Sequence, residues 1–130
     1  MPERTLDLFR HVKEIESFTR GQTIFQEGKP GEIMYVVIEG EVEIFVNNTL
    51  LASLGPGGIL GEMALIDKKA RSATAIAKTD CKLTPVDEKR FRFLVQQTPH
   101  FALSVMQVMA ERIRHMDAIV SGKTLDKDRT

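Results

Sequence analysis

The chain has 130 residues, of which 42% are hydrophobic and 28% charged, a composition typical of one globular domain and not of a disordered or fibrous protein. Its 18 Lys and Arg residues balance 18 Asp and Glu residues, so no net field draws it to nucleic acid or to an anionic membrane. The longest apolar run, residues 33–38, is too short to span a bilayer and the N-terminus lacks the layout of a signal peptide, so we expect a cytoplasmic protein.

A short helix opens the predicted fold. Leu8, Phe9 and Val12 recur at helical spacing after Thr5, which predicts one apolar face packed on a core. From Ser17 the pattern changes to short segments separated by Gly, Pro and Asn residues, which is typical of an all-β region. Six of the predicted strands have clear bounds, at residues 23–25, 33–38, 41–46, 50–54, 72–77 and 82–86.

The segment 41–46 has the clearest strand pattern. Its hydrophobic residues alternate with glutamates, as in a strand with one face in water, and only Phe45 breaks the alternation. Asn47 and Asn48 follow, and because asparagine tolerates positive φ they predict a tight hairpin turn.

Helical spacing returns near the C-terminus. Asp87 is a predicted N-cap of one helix, and Pro99 ends that helix and opens a longer one from about His100 to Val120. With seven or eight short strands before it, this order predicts a mainly β jelly-roll, a double-stranded β-helix with a short N-terminal helix and two C-terminal helices. We expect one domain over residues 1–121 and a polar, frayed tail over residues 122–130.

The candidate ligand-binding residues lie between two predicted strands. Gly61 lets the backbone approach a ligand closely, and residues 62–66 predict one helical turn whose first amides favour negative charge. Arg71 offers a planar cationic fork for two phosphate oxygens, with the hydroxyl of Ser72 beside it. Glu62, an acceptor when ionised, suits a ribose hydroxyl, so the group predicts a sugar phosphate site.

The sequences GEMALI at 61–66 and RSAT at 71–74 resemble the phosphate-binding cassette of the cyclic-nucleotide-binding domain family, which includes bacterial catabolite activator proteins, kinase regulatory subunits and gated channels. Gly31, Tyr35-Val36-Val37, Gly40-Glu41-Val42 and Gly58 look like the structural glycines and strands of that family. The resemblance runs from the first helix to Val120 and implies a jelly-roll sensor of cAMP or cGMP that is not an enzyme and needs no cofactor.

The resemblance also assigns roles residue by residue. It implies that Glu62 accepts the ribose 2′-hydroxyl and that Arg71 pairs with the cyclic phosphate. The remaining contacts it implies come from Ser72 and from the backbone amides of Gly61, Met63 and Ala64.

Base recognition is the least determined feature. In the catabolite activators hydroxyl residues of the last helix contact adenine, and the matching positions here are Met116 and Asp117. The Asp117 carboxylate could accept from the N1 and N2 donors of guanine, and Ser72 could also face the base. The alternatives are a solvated Asp117 or a partner for Arg114.

The last predicted helix has two apolar stripes. Phe101, Val105 and Val108 form the first, which we expect to pack on the roll. The second stripe, here named the seam, is a heptad pattern about two repeats long. We expect it to pair with a second subunit, and the alternative is that it adds to the core. The seam consists of Met106, Met109, Ile113, Met116 and Val120.

The output of the sensor is expected to come from an unknown partner protein, from dimerisation or from sequence outside this chain. The residues after Val120 hold no recognition helix and no basic patch, so we expect no direct DNA binding and no membrane binding.

Three other classes of protein compete with the prediction of a cyclic nucleotide sensor. A metal-dependent cupin needs clustered histidines, but His11, His100 and His115 all lie on predicted helices outside the roll. A hydrolase is disfavoured because no histidine lies near Ser72 or Cys81 in sequence. The alternative that stays open is a degenerate β-roll that acts as a dimerisation or scaffold module without binding nucleotide.

Overall fold

A computed structural model describes the backbone of residues 2–9 and 12–129 and the side chains of residues 5–9 and 12–118. The described helices are α1 (Pro2–Leu8), α2 (Met63–Ile66), α3 (Glu88–Gln97) and α4 (Pro99–Arg129). The described strands are β1 (Glu16–Phe18), β2 (Thr23–Phe25), β3 (Met34–Glu39), β4 (Val42–Val46), β5 (Thr49–Leu54), β6 (Ile59–Leu60), β7 (Thr74–Ala77) and β8 (Cys81–Val86).

The strands form two antiparallel four-stranded sheets. One sheet has the order β1-β8-β3-β6 and the other the order β2-β7-β4-β5. Every connection between successive strands except the β4–β5 hairpin crosses from one sheet to the other, so the two layers enclose a core. Helical elements pack on the other face of β3. The predicted mainly β jelly-roll with flanking helices is confirmed.

The strand β3 is buried on both faces. Val36 belongs to a core cluster that contains Phe9 and Phe101 from the helical elements, whereas Val37 belongs to the cluster between the two sheets. Successive strand residues point to opposite faces, so a strand between two cores requires a continuous apolar sequence. This explains why residues 33–38 lack the alternation seen in β4.

The hairpin between β4 and β5 matches its prediction. Asn47 and Asn48 have φ values of 50° and 65°, the left-handed conformation that a two-residue turn of this kind requires. The register with β5 shifts between Ile44 and Phe45, so the residue that broke the alternation lies at a β-bulge.

The helix termini follow the predicted signals in part. The Asp87 carboxylate accepts a hydrogen bond from the Arg90 amide at 2.8 Å, which confirms the cap of α3, and α4 begins at Pro99 as expected. The first helix begins at Pro2 and ends at Leu8, earlier than the apolar spacing suggested. Phe9 is buried just beyond the helix end, so the same packing is achieved from a turn.

The last helix is longer than predicted. It extends to Arg129, where we expected an end near Val120 followed by a frayed tail. Beyond Gly122 the sequence contains mostly Lys, Leu, Asp and Arg and no proline, so only one glycine, at a cost of about 1 kcal/mol, opposes continuation of the helix.

Candidate functional site

The backbone between β6 and β7 forms a tight turn. Gly61 has a φ of +76°, which favours glycine, and a Cβ added there would lie 2.7 Å from Arg71 Nη1. Met63–Ile66 then forms the single helical turn α2 with Glu62 at its N-cap position. The Ala64 amide donates to the Gly61 carbonyl oxygen at 3.2 Å, so this amide, predicted to face a ligand, already has a partner.

Backbone pairing holds Arg71 against the Gly28–Lys29 turn. The Arg71 amide donates to the Lys29 carbonyl at 2.8 Å, and the Gly28 amide donates to the Arg71 carbonyl at 2.9 Å. A Cβ on Gly31 would lie only 2.2 Å from Arg71 Nε, so the side chain fills space that only glycine leaves open. The local backbone therefore fixes where this arginine enters the roll.

The guanidinium of Arg71 is buried and partly satisfied. Its Nη1 donates to the Gly61 carbonyl oxygen at 3.3 Å, and its Cζ lies 4.3 Å from the centre of the Phe25 ring, within the range of a cation–π contact. Burial lowers the pKa of Arg71 below its ordinary value, an effect that the nearby Tyr35 opposes. The burial of this charge therefore costs free energy, which a bound anion would offset.

Glu62 is paired with an arginine of the last helix. The residue is 1% exposed, and its Oε1 accepts a hydrogen bond from Arg112 Nη1 in a salt bridge. The Nη2 of the same guanidinium donates to the Ile59 carbonyl oxygen. Arg112 thus links α4 to both the acidic residue of the turn and the end of β6.

Two buried polar atoms at this site have no hydrogen-bond partner among the residues that the structure describes. They are Glu62 Oε2 and Arg71 Nε. An unpaired buried acceptor or donor costs about 1–3 kcal/mol, more for a charged group, so such atoms need an explanation. The acceptor of Glu62 and the donor of Arg71 would suit a ligand that carries both a hydroxyl and an anionic group.

The two residues line one cavity of about 200 Å³. Its polar side chains, among the described residues, are Glu62, Arg71, Ser72 and Arg112. Two guanidinium groups and one carboxylate give these side chains one net positive charge. The other walls are apolar and come from β4, β5 and α4, with Ile44, Val46, Leu51, Met109, Ile113 and Met116.

The structure brings most of the predicted site residues together. The residues from the prediction that line the cavity are Gly61, Glu62, Met63, Ala64, Arg71, Ser72 and Met116. Asp117 is exposed and does not line the cavity, so its role at a base stays a prediction.

Sequence reasoning missed Phe25 and Arg112. Phe25 precedes the Gly28 turn in an ordinary strand pattern, which gives no sign that its ring lies against Arg71. Arg112 had a detectable signal, because it lies four residues before Met116 and so shares a helix face with a predicted site residue.

The stripes of α4 occupy different environments. Phe101 and Val105 are buried and Val108 packs against the same core cluster, as predicted for the first stripe. In the seam, Met106 and Ile113 are each 58% exposed and Met116 is 43% exposed, whereas Met109 packs on the core. The side chain of Val120 lies outside the described residues.

The described parts of the chain contain no cluster of His, Cys, Asp and Glu side chains that could hold a metal ion. His100 and His115 lie on α4, and His11 lies outside the described residues. No helix among the described residues has the length and hydropathy needed to cross a membrane.

Comparison with known proteins identifies the architecture. Residues 15–98 match the family model of the cyclic nucleotide-binding domain. The chain is similar to a cyclic AMP receptor protein of Thermus thermophilus, with 33% identity over 105 residues that cover 77% of the chain. The alignment covers 49% of that relative, so the chain spans about half the length of the curated protein it matches.

Two solved structures extend the comparison. The Thermus thermophilus catabolite activator protein matches with a TM-score of 0.76 and 29% identity, over 93% of this chain and 59% of that one. The cGMP-bound form of the EAL enzyme Bd1971 matches with a TM-score of 0.62 and 29% identity, over 88% of this chain and 33% of that one.

Proposed function

Because the chain belongs to the cyclic nucleotide-binding domain family, we propose that it is a non-catalytic sensor that binds a cyclic mononucleotide, cAMP or cGMP, in the cavity between Glu62 and Arg71. The observation that carries the proposal is that Glu62 and Arg71 line one cavity and that each has a buried polar atom, Oε2 or Nε, without a hydrogen-bond partner among the described residues. A neighbour that binds cGMP and a relative named for cyclic AMP support both ligands.

In the proposed complex the cyclic phosphate lies on Arg71 and the ribose 2′-hydroxyl donates to Glu62 Oε2. Ser72 and the amides of Gly61 and Met63 complete the contacts to the phosphate. One net positive charge on the polar side chains of the cavity matches the single negative charge of a cyclic phosphodiester. A linear 5′-monophosphate carries about two negative charges near pH 7 and is a poorer match.

The proposed signal passes through α4. Arg112 holds Glu62 Oε1 and leaves Oε2 open, so a nucleotide can bind while α4 stays docked. The phosphate then adds a further attraction for the Arg112 guanidinium, and ligand binding strengthens the packing of α4 on the roll. An unidentified protein partner, or a second subunit, would detect this change. The cytoplasmic location and the lack of direct DNA binding stay predictions from the sequence.

A thermal shift experiment tests ligand binding. At a concentration of one hundred times its Kd, a cyclic nucleotide stabilises the fold by about 2.7 kcal/mol, which raises the Tm of a domain of this size by roughly 10 °C. We expect shifts with cAMP or cGMP, and much smaller shifts with 5′-AMP and with 2′-deoxy-cAMP, which lacks the hydroxyl for Glu62. No shift with any cyclic nucleotide would favour the scaffold alternative.

We further propose a homodimer through the seam on α4. Exposed Met106, Ile113 and Met116 leave an apolar stripe in water, and covering such a stripe favours association. We expect Met106→Glu to weaken dimerisation by at least about tenfold, since it removes a methionine worth about 1.5–3 kcal/mol of burial. Sedimentation velocity measures the change, with Leu103→Glu, also exposed on α4 but outside the seam, as the control. A wild-type chain that sediments as a monomer at high concentration with nucleotide bound would disprove the dimer.

A further inference from the structure

The polar groups of the nucleotide cavity lie at one end of it. Glu62 and Ser72 belong to the turn and loop that carry Arg71, and Arg112 is bonded to Glu62. Every other described side chain that lines the cavity is aliphatic, aromatic or a methionine. In the proposed complex the phosphate and ribose use the polar end, so the base lies among apolar side chains.

Apolar contacts do not distinguish one purine from another strongly. Adenine and guanine differ in their exocyclic amino and carbonyl groups but present nearly the same ring face. A site that hydrogen-bonds a substrate group can reject an analogue by about 10⁴–10⁵-fold, whereas an apolar pocket discriminates by only about 10–200-fold even against a change of size. Met109 and Met116 also adapt their shape to a ring and make favourable sulfur–aromatic contacts.

The size and lining of the cavity support the same conclusion. Its volume is about 200 Å³, below the about 300–1,000 Å³ of typical small-molecule sites. Ile113 and Met116 line the cavity and are also 58% and 43% exposed. Once the phosphate and ribose have used the polar side chains, no polar side chain of the described lining is left for the edge of a base.

We propose that this site selects the cyclic ribose phosphate and not the base, so that its ligand class is the purine 3′,5′-cyclic nucleotides whatever their exocyclic groups. The inference rests on the proposed function. The inference also differs from the prediction that Asp117 recognises guanine. Asp117 is exposed and does not line the cavity, so under the inference it makes no difference to base choice.

Calorimetric titration of the whole chain with cAMP, cGMP and cIMP tests the inference. We expect the three Kd values to agree within about tenfold, and Asp117→Ala to leave their ratios unchanged. A preference of more than about a hundredfold for one base would overturn the inference, as would a cGMP preference that Asp117→Ala removes. If none of the three binds, the proposed function itself fails and the inference with it.

A pair of matched variants locates the base. Met116→Gln places an amide in the cavity wall, whereas Leu103→Gln places the same amide on an exposed part of α4 outside both the cavity and the seam. We expect the first to shift the ratio of cAMP to cGMP affinity by at least about fivefold, equivalent to one new hydrogen bond, and the second to leave it unchanged. Equal ratios in both variants would show that the base does not lie against Met116 and would overturn the inference.

Discussion

Replacing Arg71 by alanine is expected to weaken cyclic nucleotide binding by at least about tenfold in a calorimetric titration, without lowering the melting temperature of the ligand-free protein. A charge-assisted hydrogen bond contributes about 1.5–3 kcal/mol, so losing the bidentate fork reduces affinity by about tenfold to several hundredfold. The loss also leaves the polar side chains of the cavity with no net positive charge, which increases the cost of burying a phosphate.

The ligand-free protein should tolerate this change because the cost of burying the guanidinium offsets its hydrogen bond to Gly61 and its contact with Phe25. The Nε has no partner among the described residues, and the lowered pKa of Arg71 indicates that burial disfavours the charge. The control is Arg71→Lys, which keeps the charge but cannot donate a planar fork, and we expect intermediate affinity. Tight binding by Arg71→Ala would show that the phosphate lies elsewhere.

Replacing Arg112 by methionine is expected to destabilise the ligand-free protein by about 3–5 kcal/mol, because it leaves a buried carboxylate at Glu62 without its cation. Glu62 is almost fully buried and its second oxygen already lacks a partner, so no other described group compensates. Chemical denaturation with urea measures the change as a lower midpoint at constant slope.

A double-mutant cycle separates the ion pair from simple loss of packing. Glu62→Gln with Arg112→Met removes both charges, and replacing a whole buried pair by neutral groups is often close to neutral in stability. We expect the double variant to recover most of the free energy of unfolding that Arg112→Met loses. If Arg112→Met unfolds at the wild-type midpoint, the pair contributes nothing to stability and α4 is held by its apolar face alone.

Much of the fold could be predicted because its signals are local. The two asparagines at 47 and 48 adopt the positive φ values that the hairpin needs, and Asp87 caps α3 as its position indicated. Even the irregularity at Phe45 corresponds to a bulge. The end of α4 could not be predicted in the same way, since polarity alone does not end a helix that contains no proline.

The residues of the candidate site could also be predicted only where the signal is local. Glu62 and Arg71 lie in one short segment whose order and spacing resemble a known binding motif, so the sequence was enough to select them. Phe25 and Arg112 reach the site from distant segments, and the Glu62–Arg112 pair joins residues 50 positions apart. The helical spacing to Met116 pointed to the face on which Arg112 lies, but its pairing with Glu62 and the contact of Phe25 with Arg71 depend on how the sheets and α4 pack.

The two bonds of Arg112 have a consequence for regulation. In the proposed complex, one guanidinium ties α4 both to the proposed ribose acceptor, Glu62, and to the main chain of Ile59, so the docking of the helix and the readiness of the pocket are a single equilibrium. Thermodynamic linkage makes such an arrangement reciprocal: a protein that binds α4 in its docked position would tighten the proposed nucleotide binding by the same factor by which nucleotide tightens the binding of that protein. The affinity of the proposed sensor for its nucleotide would then be set jointly by its own residues and by whatever protein is bound to α4.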